Sequence, residues 1–181
     1  MNSLTGPELV GLPGDAAYEC RADELPPAAV TATDSCDGAL TPDFAEQSDG
    51  QSCPETITRT WSATDACGNS VSESQTITVN DLTDPELAGV PGDTSYECLA
   101  DVPPPPDVTA TDSCDGALTP DFAEQSDGQS CPETITRTWS ATDACGNSVS
   151  ESQTITVNDL TDPELAGVPG DTSYECLADV L

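Results

Sequence analysis

The chain has 181 residues, with 34 acidic side chains against 3 basic ones, no histidine and a formal net charge of −31. Such a charge excludes nucleic acid and anionic membrane as electrostatic partners. Without histidine there is no Ser-His-Asp or Cys-His site, and without lysine no P-loop or Schiff base, so no enzyme is expected.

Repetition organises everything else. The 45-residue stretch from Thr58 to Val102 recurs without a substitution from Thr136 to Val180, a period of 78 residues. Pro7-Glu8-Leu9 returns as Pro85-Glu86-Leu87 and Pro163-Glu164-Leu165. The chain therefore divides into repeats at 7–84 and 85–162, an incomplete third at 163–181, and a remnant or linker at 1–6. This period is too long for a solenoid turn and suits a small independent domain. Met1 stands where the repeat places valine (Val79), so the chain is expected to be a window from a longer array.

The elements follow in order along one repeat. "AAYEC" predicts a short strand ending at Cys20, and Pro26-Pro27 (Pro103 to Pro106 in the second copy) an extended connector. "AVTATDSCDG" predicts a strand and turn, and "LTPDFAEQ" a further short strand anchored by Phe44. "ETITRTWSATD" places Ile57, Arg59, Trp61 and Ala63 on one face, with threonines and Ser62 on the other. "SVSESQTITVN" does the same with Val71, Gln75, Ile77 and Val79. Period-two alternation with β-branched residues marks half-buried strands. "ACGNS" joins them as a tight turn in which Gly68 and Asn69 are able to take positive φ. Six or seven short strands per repeat predict an all-β, antiparallel sandwich, with Trp61, Phe44, Tyr18 and their copies in its core. Arg59 is expected to pair with a carboxylate.

Nine cysteines recur at fixed places, four per repeat plus Cys176. Without histidine or paired C-x2-C knuckles they read as disulfides rather than zinc ligands, which implies an oxidising compartment outside the cell. Four cysteines allow three pairings. "VTATDSCDG" and "WSATDACGN" share one pattern, so both strands are expected to end side by side, pairing Cys36 with Cys67 and Cys114 with Cys145. Elimination then pairs Cys20 with Cys53 and Cys98 with Cys131.

The string "TRTWSATDACGNSVSESQTITVND", followed by "LTDPEL", resembles the HYR-like (hyalin-repeat-like) domains with four cysteines. The "YEC" and "SCPE" cysteines match that variant too. The resemblance implies tandem immunoglobulin-like β-sandwiches of bacterial surface or secreted proteins, with a structural or adhesive role and no catalytic residues.

"VNDLTDPEL" gathers Asn80, Asp81, Asp84 and Glu86 where two repeats meet, and recurs with Asn158, Asp159, Asp162 and Glu164. Clustered hard oxygen donors suit Ca²⁺. In the immunoglobulin-like topology, the turns at Asp112 and at Asp143 to Asn147 would face the incoming linker and complete the shell. Ser3 and Gly6 replace Asp81 and Asp84 at the first junction, which argues against a site there. The sequence thus predicts a segment of an extracellular fibre, filament or adhesin stalk. Its partners would be neighbouring copies of the same repeat, with O-glycans on its many Ser and Thr and no insertion into a membrane. The alternative is an adhesin repeat that binds glycan or protein.

Overall fold

A computed structural model of the chain describes residues 5–167 and Gly170. Cys176 lies outside the described residues. The first repeat contains seven strands: β1 (Glu8–Val10), β2 (Ala16–Tyr18), β3 (Thr31–Asp34), β4 (Gly38–Leu40), β5 (Asp43–Ser48), β6 (Glu55–Thr64) and β7 (Ser70–Val79). The second repeats them as β8 (Glu86–Ala88), β9 (Thr94–Tyr96), β10 (Thr109–Asp112), β11 (Gly116–Leu118), β12 (Asp121–Ser126), β13 (Glu133–Thr142) and β14 (Ser148–Val157). Each repeat forms a three-stranded sheet, β1-β3-β4 or β8-β10-β11. Each also forms a four-stranded sheet, β2-β7-β6-β5 or β9-β14-β13-β12.

The predicted alternation positions the core. In β6, Ile57, Arg59, Trp61 and Ala63 are buried, and in β7 Gln75, Ile77 and Val79 are. Ile57 lies opposite Ile77, and Arg59 opposite Gln75. Ile57 and Ile77 are fully enclosed, and burying such a side chain contributes about 1.5–3 kcal/mol. Ala32, on the facing sheet, is also buried.

Three details differ from the expectation. First, β2 runs parallel to β7, with Ala16 beside Ile77 and Tyr18 beside Val79, so the sandwich is not wholly antiparallel. The exposed proline connector after Cys20 carries the chain from the four-stranded sheet to β3 in the three-stranded one, so β2 is not tied to its neighbour by a hairpin. Second, Phe44 is 45% exposed, because β5 is an edge strand with both faces open to solvent. Its ring covers Trp61, with centroids 5.3 Å apart. Third, only Gly68 takes positive φ in the β6–β7 turn, and Asn69 does not.

The strand order fixes two distinct ends. Glu55 pairs with Val79, so β6 begins where β7 finishes, and β2 ends there too. Cys20 and Cys53 therefore lie at this end, just before the linker. Thr64 pairs with Ser70 at the other end, where the turns carrying Cys36 and Cys67 lie.

Candidate functional site: the joint between repeats

The cysteine-bearing turns are built by aspartates. In the second repeat, Asp112 Oδ1 accepts the backbone N–H groups of Cys114 (2.7 Å) and Asp115 (2.9 Å). Asp143 Oδ1 accepts those of Cys145 and Asn147, both at 2.8 Å, while its Oδ2 takes the Asn147 side-chain amide at 2.7 Å. A short acceptor side chain that bonds backbone two residues ahead closes a turn without help from the sheet. Gly146, at φ +93°, completes the tighter turn. Asp115 Oδ2 accepts the Ala144 N–H at 2.7 Å, so the two turns are tied side by side. Asp34, Asp37 and Asp65 repeat this arrangement in the first copy.

The shared "ATD" pattern thus does bring the two cysteine turns to one end. It does not pair their sulfurs with each other. Cys20 is bonded to Cys114 and Cys53 to Cys145, with Cα–Cα distances of 5.1 and 5.2 Å. Both bonds cross from one repeat to the next, over 94 and 92 residues of sequence. The expected pairs Cys20–Cys53 and Cys114–Cys145 are therefore corrected. Cys36, Cys67, Cys98 and Cys131 are free and exposed, so the pairs Cys36–Cys67 and Cys98–Cys131 are corrected too. The physical reason is direction. Turn tips project their cysteines along the array, where the far end of the preceding repeat supplies Cys20 and Cys53.

The linker is seated in the same place. Asp81 is only 4% exposed, and its backbone carbonyl accepts the Asn147 side-chain amide at 3.1 Å. Its Oδ1 accepts the Thr83 N–H at 2.9 Å, and the Thr83 hydroxyl donates to Glu19 Oε2 at 2.9 Å. A cavity of about 180 Å³ opens between the cystines, lined from both repeats by Glu19, Asp81 and Asp115 among others.

Of the predicted calcium ligands, the structure gathers Asp81 and Asp112, whose carboxylates come within 4.8 Å. Asp84 and Glu86 are exposed, and Asp143 and Asn147 are committed to the turn and to the Asp81 carbonyl. Asp159, Asp162 and Glu164 are exposed. Backbone N–H groups, Asp115's above all, hold the Asp112 carboxyl below the ordinary aspartate value.

The feature that sequence reasoning missed is the crossing of the cystines. The expectation joined Cys20 to Cys53 and turn to turn within a repeat, whereas the structure joins Cys20 and Cys53 to the two turn cysteines of the next repeat, Cys114 and Cys145.

Fold and joint together define a chain of β-sandwich repeats docked head to tail, covalently linked at their junction. The family described as the HYR-like domain with 4 cysteines matches twice, over residues 10–79 and 87–157. The chain belongs to that family. No curated protein matches it. Disulfide-bonded HYR-like repeats fit an extracellular or cell-surface module.

Proposed function

We propose that this chain is a load-bearing segment of an extracellular fibre or adhesin stalk, extended by head-to-tail repeats. The pair of cystines across the joint carries this reading. A tensile force on a string of ordinary β-sandwiches is resisted only by hydrogen bonds and packing. Here the force passes from Cys20 to Cys114, or from Cys53 to Cys145, through covalent bonds. The chain from Cys53 to Cys114 lies inside both closed loops and bears little of the load.

The free pairs extend the same logic along an array. Cys98 and Cys131 occupy the positions of Cys20 and Cys53, and would bond the turn cysteines of a following repeat. Cys36 and Cys67 occupy those of Cys114 and Cys145, and would receive a preceding one. Each interior repeat then spends its four cysteines on two joints.

Single-molecule extension of the full chain, with and without reductant, tests the proposal. A bond that closes 94 residues hides that length, roughly 300–340 Å at about 3.3–3.6 Å per residue. The oxidised chain should reach its limit that much shorter than the reduced one. Because the two loops overlap, C20S/C114S alone should release little, and the full gain should appear only with C53S/C145S added. An oxidised chain that unravels to the reduced length would overturn the load-bearing role.

A further inference from the structure

The junction contains an electrostatic problem that the cystines do not solve. Asp81 is 4% exposed and Asp112 is 8% exposed, and their carboxylates lie within 4.8 Å of each other. In each, Oδ1 is occupied by backbone N–H groups, which fixes the plane of the carboxylate. In each, Oδ2 is buried and has no hydrogen-bond partner among the described residues. An unpaired buried carboxylate oxygen is costly, and two like charges at this distance are more so. No arginine lies in the pair: the ion pairs of Arg21, Arg59 and Arg137 all go to glutamates.

We propose that the two Oδ2 atoms hold a hard divalent cation, of which Ca²⁺ is the natural example, and that the docked joint creates the site. Oxygen donors select hard cations. The sulfur of Cys114 is within the same cluster, but in a cystine it is no thiolate and offers nothing to a soft metal such as Zn²⁺. Asp81 comes from the linker and Asp112 from the next repeat, so the cation joins what the cystines join. Water entering the adjoining cavity would fill the remaining coordination. The reading is narrower than a general acidic joint, because Asp84 and Glu86 take no part. It rests on the docked geometry and not on the mechanical role, so either can fail alone.

The oxidised full chain, stripped with EDTA, is titrated with CaCl2 by calorimetry in 150 mM NaCl. One saturable site is expected, weakened at least tenfold in D81N and in D112N. D34N alters the equivalent aspartate of the first repeat, which has an orphan Oδ2 and lies within 4.8 Å of the Asp37 and Asp65 carboxylates but has no described linker aspartate beside it, and should leave the site intact. Disulfide mapping of each variant establishes that the joint has formed. Opening the joint of the unaltered chain by reduction should abolish the site, which needs no variant to fold. Absence of a saturable site in the oxidised chain would overturn the proposal. So would equal binding by D112N, or an equal loss in D34N, which would put the cation at Asp34, Asp37 and Asp65 or in a diffuse acidic atmosphere.

Discussion

Cys53 and Cys131 sit in the same sequence, Asp-Gly-Gln-Ser-Cys-Pro-Glu, yet one is in a cystine and the other is a free thiol. Asp81 and Asp159 also share their surroundings in sequence, yet Asp81 is buried and Asp159 exposed. The difference is a repeat docked beyond Cys53 and Asp81, with none among the described residues beyond Cys131 and Asp159. The local structure is already set before docking. Thr161 N–H donates to Asp159 Oδ1 at 3.0 Å and the Thr161 hydroxyl to Glu97 at 2.9 Å, as Thr83 does to Asp81 and Glu19. Each end of a repeat is thus a preformed half of a joint. Little ordering entropy remains to be lost when the halves meet.

The largest test of this contrast removes the bonds themselves. Replacing Cys20, Cys53, Cys114 and Cys145 by serine should destabilise the chain by at least about 4 kcal/mol, the chain-entropy figure for one loop of about 100 residues. Replacing Cys36 and Cys67, which stand at the same sequence positions as Cys114 and Cys145, should cost less than about 0.5 kcal/mol. Urea denaturation compares the two directly. Similar costs would mean that the cysteines matter through their turns and not through the joint.

A second contrast comes from sequence rather than from docking. The repeats diverge before Thr31, where Arg21 and Glu24 of the first become Leu99 and Val102 of the second. Arg59 is consequently held between Glu24, by a very short contact, and Glu46 at 2.8 Å. It also donates to the Leu25 carbonyl at 3.0 Å. Arg137 has one carboxylate, Glu124 at 2.6 Å, and the Pro103 carbonyl at 2.8 Å. The Glu24 side chain is 8% exposed and that of Glu124 is 44% exposed. Removing Arg59 leaves a buried charge with only the half-exposed Arg21 beside it, whereas Glu124 can turn to water. R59M should therefore cost about 3 kcal/mol and R137M about 1 kcal/mol, read from denaturation midpoints. The double variant E24V/R59M should recover part of the loss, because it removes the stranded carboxylate.

These contrasts show which parts of the molecule can be read locally. The period-two strands β6 and β7 were legible because side-chain alternation depends only on neighbours in sequence. So were the turns, because Asp65 and Asp143 close them with bonds to residues at most four positions away. The pairing of Arg59 with a carboxylate followed from a lone cation on a buried face. Phe44 was misplaced because its strand was recognisable but its position at the sheet edge was not. The cystines were misassigned for a stronger reason. The shared pattern placed two cysteine turns at one end of a repeat, but their sulfur partners lie at the far end of the preceding repeat, which no pattern within one repeat reveals. For the joint carboxylates, the acidic composition signalled an excess of oxygen donors. Only burial distinguished Asp81 and Asp112 from exposed neighbours such as Asp84 and Glu86.

The smallest predicted effect concerns the open turn of the first repeat. The Asn69 side-chain amide, followed by the backbone N–H groups of Asn69 and Cys67, holds the Asp65 carboxyl below its ordinary value of 3.8. A carboxyl lowered on folding stabilises the protein above its unfolded pKa, and that contribution disappears as pH falls through the folded value. D65N should therefore be less stable than the unaltered chain at pH 7, and the gap should narrow as pH drops below about 4. Acid also relieves the repulsion among the other carboxylates, but it does so in both proteins and cancels in the difference. Urea midpoints of the pair between pH 3 and pH 7 supply the measurement. A gap that stays constant across that range would mean that Asp65 acts through the shape of its hydrogen bonds alone, with no contribution from its charge.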